Sequence, residues 1–154
     1  MQIELVSELG ARLPRGAGPL EFGATEADAR RRLESLVEPA RTSFARGTSW
    51  SWRARIGDRW VEASAGGDGL LGEIRVARAI EGVEPDVDDV TGVVRIPVVY
   101  RGIDLFEHTM AEVEFLLGAG AGVGGGVRDL RLTGVSGHAL SVTLVDLTRP
   151  HARG

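Results

Sequence analysis

Apolar and polar residues alternate from Trp50 to Ser64: Trp50-Ser51-Trp52-Arg53-Ala54-Arg55-Ile56, then Gly57-Asp58, then Arg59-Trp60-Val61-Glu62-Ala63-Ser64. A period of two marks a strand with one buried face, and a Gly-led pair between two such runs is a hairpin turn. The two-residue loop pairs Ile56 with Arg59, Arg55 with Trp60, Ala54 with Val61 and Arg53 with Glu62. Cross-strand partners share a face. The apolar side is therefore Trp52, Ala54, Ile56, Val61 and Ala63, and the other displays Ser51, Arg53, Arg55, Trp60, Glu62 and Ser64. The same patterning predicts strands at Leu70–Ala77, after the Gly66-Gly67-Asp68-Gly69 turn, and at Val93–Tyr100. It predicts a second hairpin from Asp129–Leu132 and Leu140–Leu144 around Ser136-Gly137.

Two segments read as helices. From Thr25 to about Leu36 the apolar positions Ala29, Leu33, Leu36 and Val37 fall on one face, with Arg30, Arg31 and Arg32 spread over the rest. From Thr109 to about Leu117 the stripe is Met110, Val113, Leu116 and Leu117, and the glycine-rich run Gly118–Gly126 is expected to end it. Both starts are capping boxes, Thr25-x-x-Asp28 and Thr109-x-x-Glu112, in which the threonine accepts from an exposed N–H and the carboxylate reaches back. Phe22 and Phe106 stand three residues before the caps. With a constant offset, Gly18–Ala29 lies over Gly102–Val113, and Gly, Phe, Thr, Ala and Leu recur between Gly18 and Leu33. The expected fold is α+β: two helices on an antiparallel sheet, built from two diverged helix-then-hairpin repeats. The expected domain is single, 1–148, with repeat one at about 18–80, an acidic connector at 81–89, repeat two at about 102–148 and a tail at 149–154.

A glycine-rich lead, helix and hairpin, repeated once, resembles the tandem-repeat domains of the β-lactamase-inhibitor-protein type and the related small outer-membrane lipoproteins. Those families carry an apolar-x-Gly-Met-Thr-x-x-x-Val pattern at each helix start. Phe22-Gly23-Ala24-Thr25-Glu26-Ala27-Asp28-Ala29 comes close to it, whereas Phe106-Glu107-His108-Thr109-Met110-Ala111-Glu112-Val113 lacks the glycine. The resemblance covers about a dozen residues per repeat, and the chain lacks the cysteines and export signal typical of those inhibitors. It implies a fold and a protein-binding role.

Composition removes several function classes. At 43% hydrophobic and 26% charged, the chain is an ordinary globular one. No cysteine is present, which excludes zinc ribbons, thiol nucleophiles and disulfide scaffolds. A net charge of −4 argues against general affinity for nucleic acid or anionic membranes. Met1–Val6 has no basic head before an apolar run, so a cytoplasmic address is expected.

The candidate chemical motifs dissolve on context. Gly120-x-Gly122-x-x-Gly125 has dinucleotide-loop spacing but follows a helix and precedes a strand, so it reads as a connector. Ser136 in Gly134-Val135-Ser136-Gly137-His138 lacks the strand-to-helix setting of a nucleophile elbow and reads as a turn. His108 with Glu107 and Glu112 offers too few ligands for a transition metal. Glu81, Glu84, Asp86, Asp88 and Asp89 lack calcium-loop spacing, and His151 belongs to the tail. No catalytic, cofactor-binding or metal site is expected.

Three tryptophans in one hairpin concentrate the chain's aromatic surface. An outward Trp60 beside Arg53, Arg55 and Glu62 has the composition of an interface hot spot, and the alternative is that Trp60 packs under the helices or a terminal segment. The leading expectation is a non-enzymatic domain of inhibitor or immunity type that binds another protein. The alternative is a small-ligand-binding domain or weak enzyme with a pocket between helices and sheet, and nucleic-acid binding comes third.

Overall fold

Short strands make most of the regular structure of this chain. The computed structural model describes residues 2–36, 40–41, 50–78, 95–121, 129–135 and 137–147, with only the backbone at 40–41, 118–121 and 135. In chain order these residues form β1 (Ile3–Val6), β2 (Gly10–Arg12), β3 (Pro19–Glu21), α1 (Glu26–Glu34), β4 (Ala40–Arg41), β5 (Ser51–Ile56) and β6 (Arg59–Ala65). There follow β7 (Leu71–Arg78), β8 (Val98–Tyr100), β9 (Ile103–Asp104), α2 (Met110–Ala121), β10 (Leu130–Val135) and β11 (His138–Val145).

The strands assemble into two sheets, a five-stranded one ordered β3-β2-β1-β8-β9 and a six-stranded one ordered β10-β11-β7-β6-β5-β4. All neighbours are antiparallel except β1 and β8, which run parallel with Ile3 opposite Val98. This overturns the expected layering. The described residues are mostly β, with two sheets and two short helices among them in place of two helices on one sheet made from helix-then-hairpin repeats. Of the five-stranded sheet only β8 was expected, within Val93–Tyr100; the other strands, of two to four residues, give too few alternations to register.

One contiguous core joins the inner faces. Ile3, Leu5, Leu20, Val98 and Tyr100 come from the smaller sheet, and Ala54, Val61, Ile74, Val76, Val142 and Leu144 from the larger. The Tyr100 hydroxyl lies 2.6 Å from Ser7 Oγ and donates to Asp129 Oδ1 at 3.3 Å, which links β8 to the lead of β10. Burial raises the Tyr100 pKa above the ordinary phenol value.

The helix starts obey their caps. Thr25 Oγ1 accepts from the Asp28 N–H at 3.2 Å. At α2 the box is reciprocal, with Glu112 N–H donating to Thr109 Oγ1 at 3.1 Å and Thr109 N–H to the Glu112 carboxylate at 2.9 Å. Helix α1 lays Ala29 and Leu33 into the core, contacts β3 and β5, and receives the Trp52 indole N–H on Glu26 at 2.8 Å. Helix α2 buries Val113 and Leu117, but Leu116 is 39% exposed and Phe115 73%, so the expected stripe is narrower than its letters suggest. The glycine run does not stop it at Leu117, since the helix continues through Gly118-Ala119-Gly120-Ala121.

Candidate partner-binding face

The β5–β6 hairpin has the register that its turn dictates, from Ile56 opposite Arg59 to Arg53 opposite Glu62. Gly57 has φ 58° at the first central position, the place where a type II′ hairpin turn favours glycine. Alternation then sorts the side chains. Ala54, Ile56, Val61 and Ala63 are buried and Trp52 packs partly against the core. On the other side Arg53 is exposed, while Arg55, Trp60 and Glu62 are half-buried.

Trp60 is clamped by two cations. The Arg53 guanidinium stands 4.7 Å from its ring centroid and that of Arg55 5.7 Å. Each contact contributes about 0.5–1 kcal/mol at an accessible site. Arg55 Nε also donates to the Gly57 carbonyl at 3.0 Å, which ties the arginine to the turn. Arg53, the register partner of Glu62, lies closer to the indole than Arg55 does.

The registers extend this face over the sheet. Arg53 pairs with Glu62, Glu62 with Arg75, Arg75 with Thr143 and Thr143 with Arg131, giving one row across five strands. Beside it runs Arg55–Trp60–Ala77–Ser141–Thr133. Arg53, Arg75, Arg131 and Thr133 are exposed and Ser141 is buried. In the next row Ser51 is 0% exposed, Ser64 6% and Val145 4%, with Glu73 half-buried between the last two, and the two serine Oγ atoms lie 3.1 Å apart. The displayed Ser51 and Ser64 expected on this side are thus buried.

On the opposite face of the same hairpin sits a residue that sequence reasoning missed. Arg59 is 3% exposed, its Nε donates to the Ile96 carbonyl at 2.9 Å, and its guanidinium lies 4.4 Å from the Phe106 centroid. Asp58 accepts from the Ile96 N–H at 2.9 Å, and Arg78, the register partner of Arg59, donates to the Phe106 carbonyl at 3.1 Å. Burial, foremost, lowers the Arg59 pKa, and Asp58 opposes that shift. The signal was available, since the partner of inward-facing Ile56 must itself face inward.

A second concavity lies between β3 and α1. It is a cleft of about 310 Å³ whose lining includes Leu20, Glu21, Phe22, Asp28 and Arg32. Arg32 donates to the Ala17 carbonyl at 3.4 Å along its rim.

No family model matches the chain, and no curated protein or solved structure does so significantly. The reading therefore rests on the residues. Glu107 pairs with Arg95 and Glu112 is engaged in its cap, and no group of three or more potential metal ligands forms among the described residues. Gly122 and Gly125, Ser136, the 81–89 connector and His151 lie outside those residues. No helix among them is long and apolar enough to cross a membrane.

Proposed function

We propose that this domain is a non-enzymatic protein-binding module of inhibitor or immunity type, acting in the cytoplasm through the outer face of its six-stranded sheet. The observation that carries the reading is Trp60, a large side chain kept partly exposed on an accessible sheet face and pre-oriented by Arg53 and Arg55. Aromatic and arginine anchors held in one geometry lose little freedom on binding, which is what concentrates affinity in a few residues. Arg53, Arg55, Trp60 and Glu62 are the residues of this site.

Trp60→Ala in a cross-linking capture from the native host tests it. The variant should remain folded, losing about 2–4 kcal/mol because two cation–π contacts and the buried part of the ring are removed, and it should lose its partner. Full-strength capture by a folded variant removes the site. The cleft between β3 and α1 supports the second reading, a small-ligand-binding domain, since about 310 Å³ reaches the lower end of ligand pockets. In that case Arg32→Ala, not Trp60→Ala, abolishes binding.

A further inference from the structure

The outer sheet face differs in charge from the rest of the molecule. Its at least partly accessible charges are Arg53, Arg55, Arg75 and Arg131 against two carboxylates, Glu62 and Glu73. They are net +2 in a chain of net −4, which leaves −6 for everything else. The arginines of the first row are also evenly placed. Arg53 on β5, Arg75 on β7 and Arg131 on β10 are each separated by one intervening strand. With neighbouring strands about 4.8 Å apart, successive guanidiniums originate about 10 Å from one another.

We infer that this face docks an acidic segment of a partner protein whose carboxylates recur about every 10 Å. A peptide in the polyproline II conformation, with three residues per turn and a rise of about 3.1 Å per residue, presents an acidic side chain at every third residue on one face with that spacing. Each arginine offers a planar fork that matches a carboxylate, and Trp60 in the adjacent row supplies apolar contact beside the charges. The inference rests on the protein-binding reading above and names the chemistry of the partner. A nucleic acid fits less well. Glu62 interrupts the row between Arg53 and Arg75 and opposes a continuous phosphate track, and the negative remainder of the chain repels a long polyanion.

The test uses the full chain and a fluorescein-labelled proline-rich peptide with Glu at every third position, titrated by anisotropy at low salt. Its probes for comparison are the same peptide with Gln for Glu and a single-stranded deoxyoligonucleotide of equal charge. The acidic peptide should bind at least tenfold more tightly than its Gln counterpart and weaken as salt is added. Arg75→Glu with Arg131→Glu, both exposed positions, should cost at least tenfold with an unchanged melting temperature. Glu62→Gln should strengthen binding several-fold, a gain that misfolding cannot imitate. Equal binding of the Gln peptide, no gain from Glu62→Gln, or tighter binding of the oligonucleotide through the same arginines overturns the inference. If Trp60→Ala abolishes partner capture while the paired Arg75 and Arg131 reversals leave it intact, the face binds protein by other chemistry. The acidic partner then falls and the protein-binding reading stands.

Discussion

Replacing Arg59 by alanine strikes the joint between the two sheets. Its Nε–H bond to the Ile96 carbonyl, at 2.9 Å, bridges β6 to the lead of β8, and its guanidinium stacks on Phe106 at 4.4 Å. A hydrogen bond from a charged group contributes about 1.5–3 kcal/mol, and a desolvated cation–π contact about 2 kcal/mol. Opposing both is the desolvation of the guanidinium, the same cost that lowers its pKa. Alanine removes the attractive terms, leaves a cavity beside Phe106, and deprives the buried Ile96 of its donor. The expected loss is about 3–5 kcal/mol, a fall in Tm of roughly 10 °C for a domain of this size. Arg59→Met, which refills most of the volume without burying a charge, should cost clearly less. Urea unfolding measures both, with a common m-value showing that the denatured state is unchanged. A loss under about 1 kcal/mol for alanine, or a methionine variant less stable than alanine, would refute the clamp.

The cap of α2 makes stability depend on acid. Its Thr109 backbone and side-chain bonds hold the Glu112 carboxyl below the ordinary glutamate range, so the folded pKa lies under the unfolded one. The stabilisation is therefore complete above the ordinary range and disappears as pH falls through the lowered value; Glu112→Gln should melt below the parent at neutral pH and converge with it in acid. Gly10 has φ 131°, and a Cβ there would stand 1.9 Å from the Leu20 carbonyl oxygen. Gly10→Ala should force β2 from β3 and cost more than 2 kcal/mol in equilibrium unfolding, well beyond an ordinary surface change; a neutral result removes the close approach from the account.

Local rules carried furthest where two of them coincided. Gly57-Asp58 and strict alternation together determined the register of β5 and β6, and with it the outward position of Trp60. Thr25 and Thr109 marked both helix starts because a cap is a short-range hydrogen-bond problem. Helix α2 was misread at its other end, where packing of Leu117 and the turns before it outweighs the poor propensity of Gly118 and Gly120. Apart from β8, the smaller sheet stayed hidden for a different reason: β9 is two residues long, and β1 finds β8 only through pairing across most of the chain, which no local pattern encodes. The same blindness concealed the role of Arg59, whose partners Ile96 and Phe106 come from that distant region.

The parallel pairing of β1 with β8 also sets an order of assembly. In the larger sheet β5, β6 and β7 are successive neighbours, so that meander forms by short-range closure as soon as its residues are available. β1 lies in the middle of its own sheet, but the strand on its far side arrives only after that entire meander. Until then the β1–β3 piece presents the bare backbone of β1, a row of N–H and C=O groups without strand partners, while the loop that must close spans well over half of the chain. A chain emerging from the ribosome or returning from denaturant passes through this interval, and the open side of β1 is where it pairs with the strand of another copy if β8 comes late.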